Sequence, residues 1–131
     1  MNIVRAFSGA PWEAEVSYCR ALRAGELIYV TGTAPLDELG AVFAPGDAYA
    51  QARRCFEIIE GALRELGAGM SHVVRTRMFV TDISRWAEYG RAHRERFAEH
   101  PPATTMVEVR SLIDPEMLIE IEADALCPPE K

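Results

Sequence analysis

The run Met117-Leu118-Ile119-Glu120-Ile121-Glu122-Ala123-Asp124-Ala125-Leu126 alternates apolar and acidic residues with a period of two. A helix would scatter these side chains around its circumference, whereas a strand sends successive residues to opposite faces. The run therefore predicts a strand with Met117, Ile119, Ile121, Ala123 and Ala125 on a core face and Glu120, Glu122 and Asp124 side by side on the other. Three adjacent carboxylates repel, so their face must border water, cations or a polar ligand.

A strand of this kind needs partners, and the rest of the chain supplies them. Ser17 to Ala24 and Glu26 to Thr33 read as two strands joined at Ala24-Gly25 in a hairpin. Leu27-Ile28-Tyr29-Val30 is apolar on both faces, which suits a sheet covered on both sides. Leu36 to Pro45 reads as a loop holding a short strand around Ala41-Val42-Phe43. Asp47 is a helix N-cap, followed by Ala52, Cys55, Phe56, Ile59, Ala62, Leu63 and Leu66 at helical spacing up to Gly67, a natural C′ residue. Arg53, Arg54, Glu57, Glu60, Arg64 and Glu65 fill the remaining positions and read as a solvated face. His72 to Thr81 alternates as a strand, with Arg75 and Arg77 on one face. Ser84 is an N-cap for a second helix whose stripe is Trp86, Tyr89, His93 and Phe97, stopped by Pro101-Pro102. Strands from Thr104 to Arg110 and from Met117 to Leu126 complete the chain.

This order, in a chain of 131 residues, predicts a single α+β domain spanning 1–131: a mixed sheet with both helices on one face. No third layer is left for the other face, so its burial by further copies of the chain is the simplest expectation.

The net charge of −6 argues against a protein that coats a phosphate backbone, so nucleic-acid binding is not expected. No apolar run approaches a membrane span, and Met1-Asn2-Ile3-Val4-Arg5 lacks a signal layout, which gives a cytoplasmic expectation. Lys131 is the single lysine beside thirteen arginines, which excludes Schiff-base chemistry in practice and makes any buried cation an arginine. Cys19, Cys55 and Cys127 match neither a metal pair nor a disulfide framework and read as reduced thiols. No histidine pair has metal-site spacing, so no metal is expected.

Pro102-Ala103-Thr104-Thr105-Met106-Val107-Glu108-Val109 and Ile119-Glu120-Ile121-Glu122-Ala123 resemble the end of the Rid family of reactive intermediate deaminases, also called YjgF-like or endoribonuclease L-PSP-like. The likeness extends through Tyr29-Val30-Thr31-Gly32, Tyr49-Ala50-Gln51-Ala52-Arg53, Val73-Val74-Arg75-Thr76 and Phe79-Val80-Thr81-Asp82. The resemblance implies a chorismate-mutase-like fold assembled as a homotrimer with small-molecule clefts between subunits. It further implies hydrolysis of imines or enamines (2-iminobutanoate deaminase-like activity) without a metal or a cofactor, with an Arg holding the substrate carboxylate and a Glu orienting water. Carried over, that Glu falls on Glu120, the cleft tyrosine on Tyr18 and the Ser-Gly loop on Thr31-Gly32. The arginine position holds Thr104, and a hydroxyl cannot form a guanidinium's bidentate clamp. Arg5, Arg77, Arg91, Arg94 and Arg110 are the candidate replacements.

Each assignment has a plainer competitor. Glu120 is either the water-orienting acid or a strand-face partner of Arg75 or Arg77. Thr104 is a ligand-contacting hydroxyl or an ordinary β-branched strand residue. His93 faces a ligand or is a satisfied packing histidine. Trp12, in a Pro-bounded loop, is the aromatic expected to line the cleft, while Trp86 and Tyr89 read as core. Two function classes remain, an imine or enamine hydrolase and a non-catalytic small-ligand-binding or regulatory module; a nuclease has weak support.

Overall fold

A computed structural model describes residues 2–129. Six strands form one sheet: β1 (Ile3–Ala6), β2 (Ala21–Ala24), β3 (Leu27–Thr33), β4 (Val73–Val80), β5 (Ala103–Glu108) and β6 (Ile119–Leu126). Their order is β1-β2-β3-β6-β4-β5, antiparallel throughout except for the parallel pair β4–β5. Three helices accompany them, α1 (Pro11–Val16), α2 (Ala48–Glu65) and α3 (Trp86–Phe97).

The alternation in β6 does what its period requires. Ile119, Ile121, Ala123 and Ala125 are buried against the helix layer, which leaves Glu120, Glu122 and Asp124 on the opposite face. Arg77 faces Glu122 across β4–β6, and its Nη1 lies 3.3 Å from Glu122 Oε1 and 3.2 Å from Asp124 Oδ2. These groups are about one-third exposed, so the pairs relieve repulsion in the acid row more than they stabilise the fold. Glu120 lies opposite Phe79 instead and takes neither Arg75 nor Arg77 as an ion-pair partner.

Helix α2 begins and ends where its caps dictate. Asp47 accepts a hydrogen bond from Ala50 N at 2.9 Å, and Gly67 adopts φ +80°, the left-handed turn that stops the helix without a Cβ penalty. Ala52, Cys55, Phe56, Ile59 and Leu63 form its buried stripe. Gly25, with φ +64°, makes the two-residue β2–β3 turn.

Several expectations need correction. The first hairpin strand is Ala21–Ala24 rather than Ser17 to Ala24, because Pro11–Val16 forms a helix and Ser17 is left-handed with φ +75°. Trp12 therefore sits on a helix, not in a loop. Asp82 accepts from Ser84 N and caps a 3₁₀ turn over Ile83–Arg85, so α3 starts at Trp86 and Ser84 is not its N-cap. Trp86 is 63% exposed whereas Tyr89 is buried; core packing holds for Tyr89 alone. Arg110 lies beyond the end of β5.

The sheet face opposite the helices exposes Leu27, Tyr29, Val107 and Leu126. Leu27 and Leu126 are direct cross-strand neighbours and Tyr29 lies two residues along the same strand face, so these three form an apolar cluster; Val107 stands apart on β5, beside Phe79.

Candidate functional site

Strand β3 shifts register against β6 between Val30 and Thr33. At this irregularity the chain opens a cleft of about 590 Å³, within the usual size range of a small-molecule site. Its walls come from six segments: Ser8–Ala10 with Trp12 and Val16, Tyr18 with Arg20, Thr31–Ala34, the loop from Leu36 to Gly40, Arg54 with Ile58 on α2, and Ile113 in the loop before β6. Glu120 and Glu122 close it from β6.

The Glu120 carboxylate is shaped by its surroundings in this cleft. It is half-buried, and burial raises its pKa; the Arg20 cation pulls the other way and Glu122 adds to the rise. Desolvation of this kind holds an acid nearer the pH at which it can exchange protons. Its carboxylate lies directly over Gly32. A Cβ at position 32 would collide with Oε2 and stand 3.1 Å from Cδ, so a glycine here makes the room the carboxylate occupies.

Arg20 is the cation behind that wall. It is 4% exposed; its Nη2 and Nε donate to Glu13 Oε2 at 3.1 and 3.2 Å, and its Nη1 donates to the Gly32 carbonyl at 2.7 Å and Thr33 Oγ1 at 3.2 Å. Glu13 in turn accepts from the Ser8 backbone N–H at 3.1 Å and from the Ser8 hydroxyl. Burial pushes the Glu13 carboxyl up, but the Ser8 and Arg20 hydrogen bonds and the Arg20 charge outweigh it and hold the pKa below normal. Thr31 Oγ1 donates to the Cys19 carbonyl at 2.8 Å, and the Arg20 guanidinium lies 5.6 Å from the Tyr18 ring centre.

Of the residues singled out from the sequence, Glu120, Tyr18, Thr31, Gly32 and Trp12 line this one cleft. Thr104 and His93 do not. Thr104 is exposed on β5, the far edge strand, and shares a hydrogen bond of 2.7 Å with the buried Thr76 hydroxyl. Thr76 also contacts His93 Nε2 at 2.8 Å, while the His93 ring packs against Phe56 and Phe97. Burial lowers the His93 pKa, as expected for a packed, neutral imidazole.

None of the five arginines considered as replacements for the missing cation lines the cleft; Arg20 and Arg54 do. Arg54 donates from Nε to the Leu36 carbonyl at 2.7 Å and stands 3.8 Å from Glu57, so its place at the cleft rim corrects the reading of a purely solvated face. Arg54 had a detectable signal, a position in the N-terminal half of α2 one turn before the apolar Ile58. For Arg20 the sequence offered only its proximity to Tyr18.

The cleft thus sets four acids, Asp37, Glu38, Glu120 and Glu122, against two arginines, the reverse of a phosphate-binding track. Among the described residues no three His, Cys, Asp or Glu side chains cluster as a metal cage, and no helix is long and apolar enough to cross a membrane.

Comparison with known proteins agrees with this architecture. The family described as Endoribonuclease L-PSP matches residues 8–127. The 3-aminoacrylate deaminase RutC of Acinetobacter baylyi is 37% identical over 111 residues, covering 82% of this chain and 85% of its own. A YjgF-family protein from Mycobacterium tuberculosis superposes with a TM-score of 0.87 at 44% identity, over 95% of this chain and 99% of that one. The E. coli YjgF gene product superposes at 0.81 with 31% identity, covering 94% and 97%. With the matched profile spanning nearly the whole chain and its mixed sheet reproduced by these structures, the protein belongs to the Rid family, the YjgF/RutC group described as endoribonuclease L-PSP.

Proposed function

We propose that the chain assembles as a homotrimer whose clefts bind a small metabolite and hydrolyse an imine, enamine or related C–N bond, using water held on Glu120. The observation that carries this reading is the half-buried Glu120 carboxylate, pressed against the side-chain-free Gly32 inside a cleft of small-molecule size. The similarity to a protein named for 3-aminoacrylate deamination supports the reaction class.

In the proposed reaction, Glu120 accepts a proton from water as the water oxygen bonds to the imine carbon and the C=N π pair moves to nitrogen. The carboxylic acid returns that proton to nitrogen, which gives a neutral carbinolamine. The carboxylate then takes the carbinolamine hydroxyl proton and delivers it to nitrogen as the oxygen pair forms the C=O bond and the C–N bond breaks. Ammonia and a carbonyl compound leave, and the carboxylate is restored. An acid with a raised pKa suits both halves, since it must take a proton and release it near neutrality.

The charge of the cleft bears on the substrate. Arg20 is committed to Glu13, Gly32 and Thr33, and Arg54 gives its Nε to the Leu36 carbonyl and holds its Nη1 3.8 Å from Glu57, so neither offers a guanidinium free of other partners. Loss of such a clamp weakens a carboxylate ligand by about 2–3 kcal/mol, which favours neutral or cationic imines over carboxylate-bearing ones. The clustered Leu27, Tyr29 and Leu126 support burial of the open sheet face by further copies, and the free edge β5 leaves Thr104 available to a neighbouring cleft.

The test measures ammonia release from freshly generated 2-iminobutyrate and from carboxylate-free imines, with wild type and Glu120→Gln. Release abolished by Glu120→Gln is the expected result. Saturable binding with no turnover across the panel would overturn the enzymatic reading in favour of a ligand-binding module, for which the missing clamp is the specific argument.

A further inference from the structure

Among the described residues, Glu13–Arg20 is the ion pair with both side chains buried, each 5% exposed. Burying two opposite charges brings little net stability, because desolvation cancels most of the attraction. The pair also sits in an unexpected place: α1 is six residues long, and Glu13 is its buried residue. The four contacts of Arg20 divide evenly between Glu13 on one side and the cleft wall on the other. A continuous chain results, running from Ser8 through Glu13 and Arg20 to the Gly32 carbonyl, with Glu120 lying over the same glycine.

We propose that the buried Glu13–Arg20 pair is a positioning device for Glu120: it fixes the Gly32 backbone against which the carboxylate rests and sets a guanidinium behind it. The proposal rests on the reading of Glu120 as the working acid, and it adds positioning residues that lie outside the family's glutamate, tyrosine and arginine positions. The backbone of Arg20 is itself tied at both ends, its N–H to the Ala6 carbonyl at 2.8 Å and its carbonyl to Thr31 N–H at 2.9 Å. Through its backbone and its guanidinium together, Arg20 joins β1, β3 and α1 at one point.

The pair also has an electrostatic consequence with a sign that can be read. The charged groups around Glu120 are Arg20 from the segment before β2, Glu122 on β6, Arg54 on α2, and Asp37 and Glu38 on the Leu36–Gly40 loop; Phe79 beside it on β4 is neutral. Arg20 is the cation that opposes the effect of burial on Glu120, and Glu13 partly cancels Arg20. Removing the cation must therefore raise the Glu120 pKa, while removing its counterion must lower it. A merely structural role gives no such opposition of signs, because losing either half breaks the same pair.

The experiment is a carboxyl ¹³C NMR titration of the full chain in its native assembly, with the Glu120 resonance assigned by its disappearance in Glu120→Gln. Arg20→Gln is expected to shift the Glu120 midpoint upward and Glu13→Gln downward, each by about one pH unit. Arg20→Lys, which keeps the charge but loses the fork, is expected to stay near wild type. Shifts of the same sign in the two isosteric variants, or no shift in either, overturn the proposal. Where Arg20→Gln does not fold, Glu13→Gln and Arg20→Lys decide, and an unmoved midpoint in Glu13→Gln overturns it. The titration needs no turnover, so a protein that binds without hydrolysing still reports the effect of the pair on Glu120.

Discussion

Replacing Gly32 by alanine adds one methyl group at the point where the Glu120 carboxylate rests. The backbone at position 32 is not left-handed, so alanine fits it without strain and stabilises by about 0.4–1 kcal/mol through the unfolded chain. The new Cβ meets Glu120 alone among its nearest neighbours, at 3.1 Å from Cδ, 3.5 Å from Cγ and in collision with Oε2. Carbon contacts relax at about 3.5–4.0 Å, so the flexible carboxylate must swing away by about 1 Å. An off-rotamer χ costs about 0.5–1.5 kcal/mol, and the two effects nearly cancel. Gly32→Ala is therefore expected to unfold within about 1 kcal/mol of wild type, a shift of a few degrees in Tm, while turnover falls by about 100-fold, the usual penalty for a reacting group displaced by 1 Å. Denaturant unfolding and the ammonia-release assay measure the two quantities, and the Gly32→Ala/Glu120→Ala double variant closes the cycle. A loss above about 3 kcal/mol that persists in the double variant would refute the reasoning, since the clash would then lie with something other than Glu120.

Three further outcomes follow from the same structure. Glu13→Ala leaves Arg20 buried without its counterion and is expected to lower unfolding free energy by about 3–5 kcal/mol, read by chemical denaturation; a loss below about 1 kcal/mol would show that water reaches the guanidinium. Because burial raises the folded-state pKa of Glu120 above its ordinary value of 4.5, the folded state holds this proton more tightly than the unfolded one. The associated stability is complete below pH 4.5 and is lost as pH rises through the raised pKa. Glu120→Gln is then expected to exceed wild type in stability at pH 7 and to lose that advantage near pH 4, which paired urea melts at the two pH values decide. Tyr29→Arg places a charge beside Leu27 and Leu126 and is expected to convert the proposed trimer to monomers in sedimentation; an oligomer unaltered by the substitution would remove that face from the interface.

Much of the fold was legible because a single period controlled each element. The two-residue alternation of β6 and the helical stripe of α2 each bury one face in the core, and burial of that face is what the periodicity encodes. Helix α1 escaped for the complementary reason: its inward residue is Glu13, which has no apolar signature and reads as surface until its partner is known. Strand β1 is short and mostly exposed, so no alternation marks it. Glu120, Tyr18, Thr31, Gly32 and Trp12 were found through the family likeness and the aromatic pattern, and the fold gathers them at one bulge. Arg20 and Arg54 were not found, since thirteen arginines are chemically alike in a sequence and differ only in what surrounds them.

The linear chain by itself determined which residues of β6 and α2 face the core, where the Asp47 cap and the Gly25 turn fall, and that an acid row must line one sheet face, because local periodicity and backbone preference act over a few neighbours. Tertiary structure alone decided which acid is desolvated, which arginine is buried behind it, and which glycine makes room for it. Glu13, Arg20, Gly32 and Glu120 lie far apart along the chain, and a pKa or a buried ion pair depends on groups that only folding brings within a few ångströms of one another.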